Sequence, residues 1–180
     1  MNKMRYPFCP KCGGRLRLNE NNETSKPPIC TSCGFIFYKN PTAGVAVLVL
    51  RDGKVLLGKR RRGYSYEGLW CVPCGHVEWE EDVNDAATRE FKEETGLTVD
   101  ITSVYTVTSN YGERFIGTGF HKPAAQSVLI WYFGKIIGGQ LAAGDDLEEV
   151  KFFSYSELPV LAFPTHEFVL NKLRDDHFLE

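Results

Sequence analysis

The chain has 180 residues, 43% of them apolar, enough for one ordinary domain with its own core plus a small appendage. Its formal net charge is -2, with no long acidic or basic block, so bulk electrostatics offers no reason to propose a nucleic-acid or membrane partner. No apolar run approaches the roughly 20 residues that a bilayer span needs, and the opening MNKMRYPFCPKCGG lacks the apolar core of a secretory signal. A soluble, cytoplasmic protein is expected, and its six cysteines then need a use other than disulfides, because the cytosol keeps thiols reduced.

Four of those cysteines come first in the chain. Cys9-Pro10-Lys11-Cys12-Gly13 and Cys30-Thr31-Ser32-Cys33-Gly34 are two CxxC knuckles with 17 residues between them. Two intervening residues let both thiolates of a knuckle turn onto one ion, and the following glycine permits the tight turn. Four thiolates make a closed tetrahedral zinc site, which suits structure rather than catalysis. Residues 1–38 are therefore read as a small zinc ribbon and 39–180 as the main domain, joined at Tyr38-Lys39-Asn40-Pro41, where Asn-Pro favours extended or turn backbone. Folding support, dimer contact and substrate contact are all open as the ribbon's role, and zinc ribbons bind nucleic acids in other settings.

The main domain opens with Ala43–Leu50, an apolar run that predicts a buried strand. Asp52-Gly53 is a hairpin signal, with Lys54–Gly58 as the returning strand. Lys59-Arg60-Arg61-Arg62-Gly63-Tyr64 follows. Its Arg60 and Arg62 suit phosphates as well as they suit a solvated loop. Cys71-Val72-Pro73-Cys74 is a third CxxC, but no second pair lies nearby, so ordinary thiols are expected there. Residues 82–95 predict a helix, with Asp82 as N-cap, Asp85 as its capping-box-like partner and Gly96 as the left-handed C-cap. Strands are predicted at Ile101–Ser109, Val128–Ile137 and Val150–Phe153, and a closing helix at Thr165–Arg174. The loop 110–127 is long enough to be functional. Tyr64, Tyr66, Trp70, Tyr105, Tyr111 and Phe115 are of a type that stacks on bases, though core packing accounts for most such residues.

The central feature lies on the predicted helix. Glu90, Glu93 and Glu94 stand at i, i+3 and i+4, within a sector of roughly 100° of one helical face. Three like charges repel, and a divalent cation relieves the repulsion. Clustered carboxylate oxygens suit hard ions such as Mg²⁺ or Mn²⁺. A bare ExxEE is more often a solvated acidic face, so the surrounding residues decide. Gly75, Glu81, Arg89, Glu90, Phe91, Glu93, Glu94, Gly96 and Leu97 fill every specified place of a pattern 23 positions long: Gly, five residues, Glu, seven residues, Arg-Glu, apolar, any, Glu-Glu, any, Gly, apolar.

That pattern resembles the Nudix box, and the resemblance covers roughly residues 40–175. It implies an α/β fold, the Nudix αβα sandwich around a mixed β-sheet, here preceded by the zinc ribbon. It implies a pyrophosphohydrolase acting on a diphosphate bond with Mg²⁺ or Mn²⁺. Under it Glu90, Glu93 and Glu94 bind the metal, Glu90 or a loop carboxylate is general base, and Arg89 with Glu81 holds helix and loop by an ion pair. Where the family usually has Pro-Gly-Gly, this chain has Pro73-Cys74-Gly75. The residue at Cys74 would offer its backbone carbonyl to the metal, and a positive φ there would be strained. A further acidic ligand is expected from Asp145, Asp146, Glu148 or Glu149, with Glu149 the first choice. Arg60, Arg62, Tyr64 and Tyr111 are the substrate-binding candidates.

A ribbon followed by this domain is similar to two groups. The bacterial NADH pyrophosphatases carry a Ser-Gln-Pro-Trp-Pro-Phe-Pro run, and the corresponding stretch here, Gly119–Ser127, lacks it. The ADP-ribose and FAD pyrophosphatases with a short ribbon share the Tyr38–Pro41 joint and the Leu158–Phe163 stretch. The expectation is hydrolysis of ADP-ribose or FAD, releasing AMP, in a protein that by resemblance is a homodimer. A non-catalytic nucleotide sensor, a nucleic-acid-binding module and an NADH or RNA-cap pyrophosphatase are the alternatives.

Overall fold

Two units, Met1–Asn40 and Pro41–Glu180, make up the computed structural model, which describes residues 6–17, 27–111 and 126–180. In the first unit, β1 (Leu16–Arg17) pairs antiparallel with β2 (Ile29–Cys30). Leu16 and Cys30 face inward with Cys9, against Phe35 and Phe37, and this is the unit's whole core among the described residues. So small a core needs a staple.

In the second unit, β3 (Thr42–Leu48) shows how the layers arise. Its side chains alternate between two helices. Val45 and Val47 pack with Ala86, Ala87 and Phe91 of α1 (Val83–Thr95). Ala46 and Leu48 pack with Val169, Leu170 and Leu173 of α2 (Pro164–Asp175). A strand buried on both faces must be apolar throughout, which accounts for the run noted in the sequence. The run is interrupted at Val49, because the chain changes sheets there and continues as β4 (Leu50–Arg51).

Asp52 and Gly53, both at positive φ, turn β4 into β5 (Lys54–Arg60), which extends two residues beyond the expected Gly58. β6 (Trp70–Cys71) and β10 (Leu147–Phe153) complete an antiparallel sheet on β5. The other sheet is mixed, in the order β7 (Cys74–His76), β3, β9 (Ser127–Gly139), β8 (Leu97–Ser109). Only β3 and β9 run parallel within it. The result is two helices enclosing the sheets, as the αβα expectation has it. The greater part of the long loop, with Phe115 and most of Gly119–Ser127, lies outside the described residues.

Helix α1 begins where Asp82 accepts a hydrogen bond from the Asn84 N–H at 2.8 Å and stops at Gly96, φ 70°. Phe91 is fully buried on its inner face. Phe91→Ala is expected to destabilise the protein by about 3–5 kcal/mol, read from the midpoint shift in urea denaturation at unchanged slope.

Candidate active site

One face of α1 carries Glu90, Glu93 and Glu94, of which only Glu93 is exposed, and Arg89 organises it from the side. The Arg89 Nε and Nη2 donate to the two carboxylate oxygens of Glu81 at 2.7 and 2.9 Å, a two-pronged pair. Nη2 also donates to the His76 carbonyl at 3.1 Å. Nη1 lies 2.9 Å from Glu90 and 3.1 Å from Glu93. Glu81 in turn accepts the Glu78 N–H at 2.9 Å. Arg89, and then the Glu78 N–H, hold the Glu81 carboxyl down at about 2. One guanidinium thus ties the helix to the loop between β7 and α1 and spaces two carboxylates of the helix face.

Gly75 fits beneath this face because it has no side chain: a Cβ built there would overlap the Glu90 carboxyl. Its φ is not positive, so close approach rather than backbone freedom is what requires glycine. Cys74 sits beside it in strand β7, paired with Ala46, and its φ is not positive either. The strain considered for a cysteine in place of the usual glycine is absent, because the residue is extended. Its backbone N–H donates to Glu94 Oε2 at 2.8 Å.

Glu94 is the most buried of the three, 1% exposed. Burial first, then the neighbouring Cys71 thiol and Asp146, raises its carboxyl well above the ordinary range. Burial also raises Glu90, against the lowering effect of Arg89. Asp146 lies against Glu94 and pairs with Arg60, while its Oδ1 is buried with no hydrogen-bond partner. A buried, unpartnered carboxylate oxygen next to a buried carboxylate fits a site for a hard divalent cation. Asp145, at positive φ 45°, is near enough to Glu90 to raise it.

Glu149, the first choice for the extra acidic ligand, lies exposed on β10. The β10 register slips between Leu147 and Glu149, so Glu148 and Glu149 both turn to solvent. Lys59 takes Glu148 at 2.9 Å and stands opposite Glu149 in the register. The acids that reach the α1 face are those of the turn before the strand, Asp145 and Asp146.

The basic run also differs from expectation. Arg60 is buried on β5, where it pairs with Asp146 and donates from Nε to the Ser65 carbonyl at 3.1 Å, so its guanidinium is engaged internally rather than offered to a phosphate. Arg61 donates to the Leu147 carbonyl at 2.9 Å. Arg62 is the open one, its side chain 89% exposed. Tyr64 and Tyr111 are exposed, whereas Trp70 packs on Phe153 and Tyr105 on Phe133. Trp79, in the loop before α1, is 92% exposed and was not singled out in the sequence, although an indole left in water between two acidic stretches is itself a signal.

His166 was missed as well. From α2 its Nδ1 accepts the Val72 N–H at 3.0 Å, which puts the ring proton on Nε2, 4.0 Å from Cys74 Sγ. Burial holds this imidazole at about 3, so it stays neutral. It fixes the backbone that grips Glu94.

In the first unit the four thiols Cys9, Cys12, Cys30 and Cys33 have their sulfurs within 4.8 Å of one another. Three of the spacings are 3.3, 3.5 and 3.9 Å. A tetrahedron with Zn–S bonds of ~2.3 Å has edges of ~3.8 Å, so the four thiols are grouped compatibly with one zinc ion. The Gly14 and Ser32 N–H groups donate to Cys12 and Cys30 sulfurs, each at 3.4 Å.

Carboxylates grouped on a helix over a tight loop, within an αβα sandwich, define a hydrolase that works with a divalent cation. The NUDIX domain model matches residues 40–173, and the chain belongs to the Nudix family as a pyrophosphohydrolase. It is 34% identical over 137 residues to an ADP-ribose pyrophosphatase of Methanocaldococcus jannaschii, covering 76% of each chain. It is 29% identical over 158 residues to the NAD-capped RNA hydrolase NudC of Vibrio atlanticus, covering 86% of this chain and 52% of that one. The chain therefore spans about half the length of that relative. A Nudix hydrolase structure from Nitrosomonas europaea superposes with TM-score 0.75 at 29% identity, covering 96% of this chain and 93% of the other. Among the described residues, no helix is long and apolar enough to cross a membrane.

Lysine in place of Arg89 keeps the charge and loses the fork that spans Glu81, Glu90 and Glu93. Arg89→Lys is expected to lower kcat/KM by about 10–100-fold, the usual effect of removing a partner that orients metal-binding groups. Steady-state hydrolysis kinetics across a Mg²⁺ titration checks it.

Proposed function

We propose that the protein hydrolyses the diphosphate bond of ADP-ribose or a close analogue such as FAD, giving AMP and the other half as its phosphate. The observation that carries this reading is Asp146, with its buried, orphaned oxygen, against the buried Glu94 and next to Glu90 and Glu93 of one helix face. The similarity to the M. jannaschii enzyme supports the substrate.

Glu90, Glu93, Glu94 and Asp146 would hold Mg²⁺ or Mn²⁺, with the carbonyl of Cys74 as a further candidate donor. Bound there, the cation neutralises charge gathering on the phosphoryl group and lowers the pKa of water. Glu90 is the general base. Its half-buried carboxyl, raised by desolvation, is more basic than an exposed glutamate and accepts the proton of the attacking water. The water oxygen bonds to phosphorus, the bridging P–O bond breaks, and the leaving phosphate departs on the bridging oxygen. Arg89 and Glu81 keep Glu90 and Glu93 in register. Arg62, exposed and 3.9 Å from Glu67, would meet the substrate's phosphates, and the exposed Tyr64 and Tyr111 its base. Zinc on Cys9, Cys12, Cys30 and Cys33 holds the ribbon folded.

A cytoplasmic location is proposed, because four zinc-binding cysteines suit a compartment that keeps thiols reduced, and a homodimer is the assembly proposed. The similarity to NudC favours a second reading, hydrolysis of an NAD cap on RNA.

The test is phosphate release, coupled to a phosphatase, over ADP-ribose, FAD, NADH, NAD-capped RNA, diadenosine polyphosphates and nucleoside triphosphates with Mg²⁺ or Mn²⁺. Turnover of ADP-ribose or FAD, lost in Glu93→Gln, is the expected result. Preference for the capped RNA would move the assignment to the second reading. No turnover from folded, zinc-loaded protein would make the chain a nucleotide sensor.

A further inference from the structure

The net charge of -2 conceals a division. Residues 1–40 contain seven Lys and Arg against two Glu, a formal +5, which leaves -7 on residues 41–180. Zinc on four thiolates would still leave the first unit at +3. Among its described residues no acidic side chain occurs at all.

The small sheet sorts these residues by face. Leu16 and Cys30 turn inward. On the outer side Arg17 stands opposite Ile29, Ile29 opposite Ile36, and Phe8 opposite Arg15. Phe8, Ile29 and Ile36 are 57, 47 and 42% exposed. The Arg15 guanidinium lies 6.0 Å from the centre of the Phe8 ring. Three exposed apolar side chains on so small a unit mark a contact surface rather than scattered surface residues.

We propose that this face binds single-stranded nucleic acid. A net-positive unit with an arginine beside an open aromatic ring, and no acid among its described residues, matches what a single strand presents: phosphates at regular spacing and bases free to stack. Arg15 and Arg17 take backbone phosphates, and Phe8 with Ile29 and Ile36 forms the platform for a base. The proposal does not depend on which diphosphate the second unit cleaves.

Fluorescence anisotropy of the zinc-loaded full chain with a labelled 15-nucleotide oligo(U) tests it. Binding is expected at 50 mM salt, falling about sevenfold by 200 mM, as for two phosphate contacts on a single strand. The double charge reversal Arg15→Glu/Arg17→Glu is expected to flatten that salt dependence and abolish binding. Phe8→Ala is expected to weaken binding about fivefold or more at unchanged salt slope. Both variants should keep one zinc per chain, which shows the ribbon still folded, and wild-type hydrolysis of ADP-ribose. No binding at 50 mM salt would overturn the proposal. So would affinity left intact in the double variant, or a salt-sensitive dimer that forms without nucleic acid and that oligo(U) does not disrupt, which would assign the basic face to an acidic surface of a second copy.

Discussion

Glu94→Gln is expected to reduce kcat by about 10²-fold or more, the upper end of what losing even a partner of a metal-binding group costs, while making the metal-free protein more stable. Glutamine keeps the shape and can still accept the Cys74 N–H through its amide oxygen. It removes a buried negative charge that faces Asp146. In the wild type the raised Glu94 pKa means that the native state holds a proton the unfolded chain has already released. Stability therefore falls as pH rises from the unfolded value, about 4.3, through the elevated native value. His166 works in the opposite direction. Its native value of about 3 lies below the ordinary ~6.5, so its contribution is lost as pH falls below that value. His166 is common to both proteins, so the difference in Tm between variant and wild type isolates Glu94. That difference is expected to grow from acid to neutral pH without metal and to shrink when Mg²⁺ is added. A difference that stays flat with pH, or a variant with full turnover, would refute the assignment of Glu94.

Cys30→Ser is expected to reduce bound zinc from one per chain to none and to unfold the ribbon. The described core of that unit is Cys9, Leu16 and Cys30 with two partly buried phenylalanines. Its folding must therefore draw on metal binding, which contributes about 10–16 kcal/mol in comparable small zinc modules. The second unit has its own two clusters around α1 and α2 and is expected to go on hydrolysing ADP-ribose. Elemental analysis and limited proteolysis check the first part, and the coupled phosphate assay the second. Stoichiometric zinc in the variant would exclude the four-cysteine site.

Helix α1 was legible in the sequence because its signals are local. Asp82, Gly96 and the i, i+3, i+4 carboxylates need no knowledge of the rest of the chain. The residues whose surroundings were not legible are those whose position depends on pairing at long range. Arg60 looks like part of a solvated basic loop, yet β5 runs on to include it, and the pleat turns its side chain inward to Asp146. Glu149 looks like the acid nearest the strand, yet a one-residue slip in the β10 register turns both Glu148 and Glu149 outward and leaves Asp146 inside. Val49 is as apolar as its neighbours, and nothing local marks it as the point where the chain leaves one sheet for the other. Cys74 raised a question of backbone angle only because the family usually has glycine there, and a place in strand β7 answers it.

The imidazole of His166 spans the molecule in a way the motif does not suggest. It comes from a helix near the far end of the chain and holds, by the Val72 N–H, the strand connection that in turn holds Glu94. The catalytic motif is thus not a self-sufficient cassette. Its tuning includes a keystone set by the last helix, so loosening of α2 by heat or mild denaturant should detune catalysis before the sheets themselves give way.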